Sequence, residues 1–475
     1  MSRRPSERAV GPVPWVALLA SLTAFASAQE AVDFRTPDGS RCVLVVDRAL
    51  LQVQWAVATW ADPADDPPGL AGLAFATVVS SMHGTWRTGS LDAAREQDAL
   101  AALDRALARP AATSTAADQA ALRDAQRDAE ALADLRMFPR VLAAAPAWRP
   151  EVRNHGAVAT FALATVPEAI AEVARLLVER REQQPLRRLP EAWRDHEACL
   201  AATRTNDSSG AVRAEVLELT MPGHPLATWL GTPTVASPRR DQALAAWAAT
   251  QRPERTVHVL LGNFDAAAVR DALAAAFTTT ALPPAPPPSR PPVRPLANAR
   301  RSTIAGAATP AAALAWALPA GVDRDQLAVA VRWLAGGPDS VLGQELQRAG
   351  RAAAVVRCTA PWPPSPDGQG LLLIECNDRT GSVGLADLLL RACGQAAGKP
   401  PDEQVLRAVT TTMQHEARAR APDDRDKACE LAARILQWPT APIATDDPGN
   451  VDARAVQTLL QRVFAGHPAV VEATP

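Results

Sequence analysis

Eight prolines fall within thirteen residues, at positions 283, 284, 286, 287, 288, 291, 292 and 295. Each fixes its own φ and lacks an amide donor, so the stretch is held extended and can neither continue a helix nor pair inside a sheet. A chain of 475 residues with such a segment past its middle is divided by it. The organisation expected is a leader at 1–28, a first domain at 29–280, a proline-rich linker at 281–300 and a second domain at 301–475.

Both sides of the linker mix the two hydrophobic periods. In the first half "RCVLVVDRALLQVQWAVATWAD" reads as a hairpin turning near Asp47 and Arg48, and a helix runs from Gly69 to about Met82. The Ala-, Arg- and Asp-rich stretch from Leu91 to Phe138 reads as two amphipathic helices forming a surface insertion at about 88–148. "GAVATFALATVP" and "RTVHVLLGNFD" read as strands among further helices. Beyond the linker come "AAALAWALPAG" as a strand, two helices, a hairpin over 352–376 and closing helices. The fold class expected is α+β: two similar domains, each a mixed or antiparallel sheet packed with helices.

Composition narrows the function. Forty-nine basic residues against 51 acidic ones leave a formal charge of -2, which provides no electrostatic footprint for nucleic acid. Arg3, Arg4 and Arg8 precede a short apolar run from Val13 to Phe25 and an Ala26-Ser27-Ala28 cleavage pattern, the form of a secretory leader. Export to the periplasm or the cell exterior is expected, with no stable membrane span once the leader is cleaved. In that compartment Cys358 and Cys376, flanking one hairpin, form a plausible disulfide, with two buried thiols as the alternative; Cys393 and Cys429, on helical stretches, are a second candidate pair. Cys42 and Cys199 are read as buried or disulfide-bonded rather than nucleophilic. The seven histidines, at 83, 155, 196, 224, 258, 415 and 467, stand too far apart in sequence for a local metal motif. His83 is the best single candidate, and the bland reading of it is a surface histidine beside a Gly-Thr turn. His196 and Glu197 are adjacent and so point apart on a helix. Trp86, Trp229 and Trp362 fall in expected loops, where an exposed ring would mark a binding surface.

Several ordered pieces resemble the insulinase or pitrilysin (inverzincin) family of zinc metallopeptidases. They are "PDGSRCVLVVD", "DDPPGLAGLA", "MPGHPLATWLGTP", "VHVLLGNFDAAAVRDALAAAF" and, in the second half, "LAGGPDSVLGQELQRAGRAAAVV". The resemblance spans most of residues 35–465 and implies a half-size, bacterial-type member of two insulinase-like domains. The family's chemistry rests on H-x-x-E-H on a helix, two histidines holding zinc and a glutamate activating water. Aligned on Gly69-Leu70-Ala71, those places are taken by Gly72, Phe75 and Ala76; aligned on Gly84-Thr85, by Phe75, Val78 and Val79. The third ligand, seven residues after a supporting acid, falls on Ala202, with Asp195 as that acid. The family's substrate-contacting Arg and Tyr fall on Gln347 and Ala354, with Arg348 one place off; the chain has no tyrosine at all.

These substitutions imply no catalytic residue, no metal ligand and no cofactor. The resemblance then implies a non-catalytic homologue that pairs with an active peptidase subunit, or with a second copy of itself, and holds extended peptides. Two alternatives stand beside that reading: an active zinc metalloendopeptidase with unrecognised ligands, and a structural scaffold like the family's respiratory core proteins.

Overall fold

The computed structural model describes residues 30–474 apart from 68, 109–114, 206–207, 225–226, 228–236, 279–292, 308, 363–369, 379–383, 420–422 and 439–450. The leader and most of the proline-rich linker lie outside the described residues. The strands are β1 Glu30–Arg35, β2 Arg41–Val46, β3 Val53–Trp60, β4 Ala147–Asn154, β5 Val158–Thr165, β6 Thr256–Gly262, β7 Arg300–Ala305, β8 Ala311–Leu318, β9 Val355–Trp362, β10 Gly370–Asn377 and β11 Ala469–Thr474. The first-half helices are α1 Leu73–Ser80, α2 Ala93–Leu107, α3 Ala116–Ala131, α4 Met137–Ala144, α5 Ile170–Glu182, α6 Leu189–Thr205, α7 Ser208–Thr220, α8 Arg240–Thr250 and α9 Ala266–Ala276. The second half carries α10 Arg324–Ala335, α11 Val341–Arg348, α12 Leu385–Gly398, α13 Glu403–Ala419, α14 Asp424–Gln437 and α15 Ala453–Phe464.

The strands form two mixed sheets, ordered β1-β2-β6-β3-β5-β4 and β7-β11-β8-β10-β9. The expected α+β class is what the molecule has. The second order repeats the first without β1: β7 runs parallel to β11 as β2 does to β6, and every other neighbouring pair is antiparallel. The hairpin expected from Arg41 to Trp60 does not form. β6, two hundred residues on in sequence, slots between β2 and β3 and pairs with both. Alternation along a strand reports burial of its faces and says nothing about which neighbour supplies the hydrogen bonds.

A second correction concerns the insertion. It holds three helices instead of two, and its last residues begin β4, an edge strand. Pro150 hides that strand from a sequence reading, because proline cannot donate to a ladder; it sits where the β4–β5 register shifts between Trp148 and Glu151, the bulge that tolerates it.

Each sheet buries one face against helices of its own half. For the first sheet, Trp55, Phe161 and Leu163 meet Phe138 and Leu142 of α4, Ile170 and Val173 of α5 and Leu273 of α9. Trp55 Nε1 donates to His258 Nδ1 at 3.3 Å, and burial pulls the His258 imidazole down to about 4, which keeps the ring neutral in this apolar layer.

The opposite faces are covered by exchange. Ala428, Cys429, Ala432, Ala433 and Ile435 of α14, a second-half helix, pack on Val43, Ala56, Ala162 and Val259 of the first sheet. Val212, Val216 and Leu217 of α7, a first-half helix, pack on Ala313, Ala315, Leu373 and Val471 of the second. The two exchanged helices hold equivalent places, each between the second strand of a meander and the strand that joins the sheet's centre. Arg213 on α7 bonds Glu375 of β10 at 2.7 Å, and Arg425 on α14 bonds Glu151 of β4 at 3.2 Å.

The cysteines pair in neither expected way. Cys42, Cys358, Cys376, Cys393 and Cys429 are buried free thiols. Cys358 faces Ile374, and Cys376 faces Val356, so the two are diagonal neighbours on one face. Diagonal neighbours stand about 7–8 Å apart, their Cβ atoms somewhat closer, where a disulfide needs Cβ atoms about 4 Å apart. Cys393 lies in the second-half core and Cys429 on the first sheet's far face. Cys199 falls where side chains lie outside the described ones.

Candidate functional site

The helix expected to carry a metal motif is α1, which is short because a different end is built at each side. At its N-terminus Gly72 adopts φ 97, a left-handed conformation open to glycine, and Asp66 accepts the amides of Gly72 at 2.7 Å and Ala74 at 2.9 Å. At its C-terminus Ser81 Oγ accepts from Arg180, whose guanidinium lies 4.1 Å from the Phe161 ring centroid and 5.2 Å from that of Trp247. Burial lowers Arg180 to about 9, and a cation at this end opposes the negative pole of the helix. One turn of 3-10 helix from Ser81 to His83 follows.

Gly72, Phe75 and Ala76 stand on the stretch that faces α6 and α8. Leu73, Ala74, Ala76 and Val78 are buried in one cluster with Leu189, Ala192 and Trp193 of α6 and Trp247 of α8, and Phe75 and Val79 pack against it. The space beside Gly72 is filled from α6: a Cβ on Gly72 would lie 1.9 Å from His196 Nε2 and 2.7 Å from its Cδ2 and Cε1. The His196 ring is buried, with centroids 5.8 Å from Phe75 and 5.9 Å from Trp193. His196, read in sequence only as adjacent to Glu197 and pointing away from it, is thus the side chain that takes up this space. The two residues are 124 apart in the chain, and only the packing of α6 on α1 joins them. Asp195 lies beside it on α6, and Ala202 falls in that helix's last turns, where only the backbone course is described.

These residues do not fit zinc. Gly72, Phe75 and Ala76 present hydrogen and hydrocarbon, and zinc takes nitrogen, sulfur or carboxylate oxygen. Among the described residues no three His, Cys, Asp or Glu side chains come together in a ligand set. His83 is half-buried rather than on the surface; burial, then the nearby Arg188, holds its pKa below the ordinary value. Its carbonyl and that of Thr85 accept from Arg187, which also forms a buried double contact with Glu96 of α2, one N–O distance being 3.0 Å. That pair ties the insertion to the turn after α1. Trp86 packs on the insertion's small apolar cluster, with Leu100 and Leu103, instead of facing solvent as a binding ring. His224 is buried, with its amide on Met221 O at 2.9 Å. Trp229 lies outside the described residues, and Trp362 ends β9.

In the second half the structure does bring Gln347 and Ala354 together. Both line one cavity of about 250 Å3 between α11 and the start of β9. Arg348 points to Glu345 on its own helix, away from that role. Both halves therefore place the positions singled out in sequence beside an edge strand, β4 in the first and β9 in the second.

The two sheets, their order and their helical layers define the fold of the insulinase and pitrilysin peptidases, the M16 fold, and the chain has that fold. Three solved structures show the likeness. A protease from Helicobacter pylori superposes with a TM-score of 0.67 at 13% identity, over 94% of this chain and 100% of that one. An inactive M16 peptidase domain from Pseudomonas fluorescens gives a TM-score of 0.65 at 14% identity, over 94% and 98%. The periplasmic protease PqqL from Escherichia coli gives 0.61 at 13% identity, with 99% of this chain matching 48% of PqqL. No protein-family model matches the chain, and no curated protein matches it by sequence.

Proposed function

We propose that this chain is a non-catalytic M16-fold subunit, exported by its leader at 1–28, which binds extended peptides and forms one wall of a chamber completed by a zinc-bearing homologue. The observation that carries the reading is the filled hollow at Gly72. On this reading Gly72, Phe75, Ala76 and Ala202 occupy the ligand and base places, Gln347 and Ala354 the substrate-contacting ones, and the two domains divide at 281–300. The His196 ring, beside Phe75 and Trp193, takes up the space next to Gly72 where on this reading a metal and its water would sit.

Peptide holding needs less. A free sheet edge supplies backbone amides and carbonyls to an added strand, and β4 and β9 are such edges among the described residues. The described helices include none long and apolar enough to cross a membrane, which fits a chain released after its leader is removed. The inactive domain from Pseudomonas fluorescens shows that this fold exists in a form named inactive.

The test is purification of the mature chain alone and after co-expression with an H-x-x-E-H homologue from the same genome, with metal analysis and cleavage of a quenched peptide library. The expected result is no zinc and no cleavage alone, and co-elution with a cleaving, zinc-loaded partner. Stoichiometric zinc with cleavage by the chain alone would establish the peptidase alternative. A monodisperse monomer that ignores both partner and peptides would sink the proposal.

A further inference from the structure

The two sheets repeat one another except along one side. In the first, β1 lies antiparallel on the outer side of β2, from Glu30 opposite Val46 to Arg35 opposite Arg41. In the second, β7 holds the place of β2 and is the end strand among the described residues. The chain just ahead of β7 does not fold back over it: Pro295 lacks an amide donor, and Leu296 bridges to His467 instead. A strand left at a sheet edge presents a row of amides and carbonyls on which another strand can pair.

The inner side of β7 sets the phase of that row. Arg300 N donates to Pro468 O at 3.1 Å, towards β11. Alternation along the strand then turns the amides and carbonyls of Arg301, Thr303 and Ala305 to the outer side. The long side chains are held above and below the sheet. Ile304 packs with the α7 cluster, Arg300 donates to Leu219 O at 3.1 Å, and Arg301 bonds Asp387 of α12 at 2.7 Å.

Register decides which strand fits. In an antiparallel pair an outward residue must stand opposite an outward residue. A second β7 laid on the first about a twofold axis at Thr303 meets this condition: Thr303 faces its own counterpart, Arg301 faces Ala305, and Ser302 faces Ile304. No like charges stand opposite one another, and a cross-strand Thr pair is a favourable one. The strand is complementary to itself.

We propose that β7 is a dimerisation edge: two copies of this chain pair their β7 strands antiparallel about a twofold axis at Thr303, joining their second sheets into one continuous sheet. So short an interface gives a dimer that dissociates on dilution. The pairing rests on the register of β7 and does not depend on peptide binding.

The test is sedimentation velocity of the full mature chain over a wide range of concentration, with a monomer–dimer equilibrium as the expected result. Thr303→Pro removes an outward amide that the monomer does not use, and should raise the dimer dissociation constant at least about tenfold while leaving the circular dichroism of the monomer unchanged. Thr303→Cys carries the test if the proline variant fails to fold. Facing Cα atoms of a hydrogen-bonded pair stand about 5.5 Å apart, within disulfide reach, so mild oxidation should link two copies through residue 303. Ala305→Cys, which faces Arg301, should not link. A chain that stays monomeric at every concentration, or that pairs only with a zinc-bearing homologue, overturns the proposal. So does a dimer that is indifferent to Thr303→Pro and is not cross-linked by Thr303→Cys.

Discussion

Gly72 answers to two constraints at once. Its φ of 97 is one a side chain rarely tolerates, and the room its missing Cβ leaves is taken by the His196 ring. Gly72→Ala should therefore cost roughly 2–4 kcal/mol in urea unfolding, from backbone strain together with overpacking. His196→Ala in that background should recover the packing share and leave the strain, so the double-mutant cycle reports their coupling. Additivity of the two changes would show that ring and glycine do not meet in solution. In the sequence, the residue types at 72, 75 and 76 were legible, and so was their inability to hold zinc. What fills the space in their place was not, because it comes from a helix more than a hundred residues away and has no local signature.

At the scale of elements, the Arg187–Glu96 pair fixes how the insertion sits on the body. Glu96 is fully buried, so Arg187→Met would strand a carboxylate without its cation. Loss of a buried partner costs about 3–5 kcal/mol. The expected outcome is a drop of that size, with hydrogen exchange rising first in α2 and the turn at 84–88. Retention of full protection in α2 would mean that the pair is dispensable for docking. The strands show why pattern reading stops where it does. β5, β6, β8 and β10 carry largely apolar runs bounded by turn residues, and these and the β9–β10 hairpin were readable. β4 was lost behind Pro150, and β2 and β3 were joined into a hairpin because they are near in sequence. The strand that parts them arrives only after α1 to α8 and two more strands, and separation along the chain leaves no mark in either strand's composition.

At the scale of the whole molecule, the exchanged helices make each half incomplete without the other. A fragment ending before the linker would expose the face of its sheet where Ala428, Cys429, Ala432 and Ile435 now pack, and would carry α7 with no sheet beneath it. Expressed separately, residues 29–280 and 301–475 should each be insoluble or molten by near-ultraviolet circular dichroism. Co-expressed, they should assemble into a complex with native-like unfolding. A first fragment that folds cooperatively alone would refute this. The linker's prolines, so visible in the sequence, mark a boundary between two halves; the helix exchange, which no local pattern encodes, makes those halves interdependent.

That interdependence bears on how anything reaches the interior. Two jaws joined by a hinge can swing apart because each keeps its own lining. Here, swinging apart would pull α14 off one sheet and α7 off the other, stripping both of apolar cover in a single motion. On the peptide-holding proposal, a guest would then come in along the outer strands β4 or β9, and not through a gap opened between the halves.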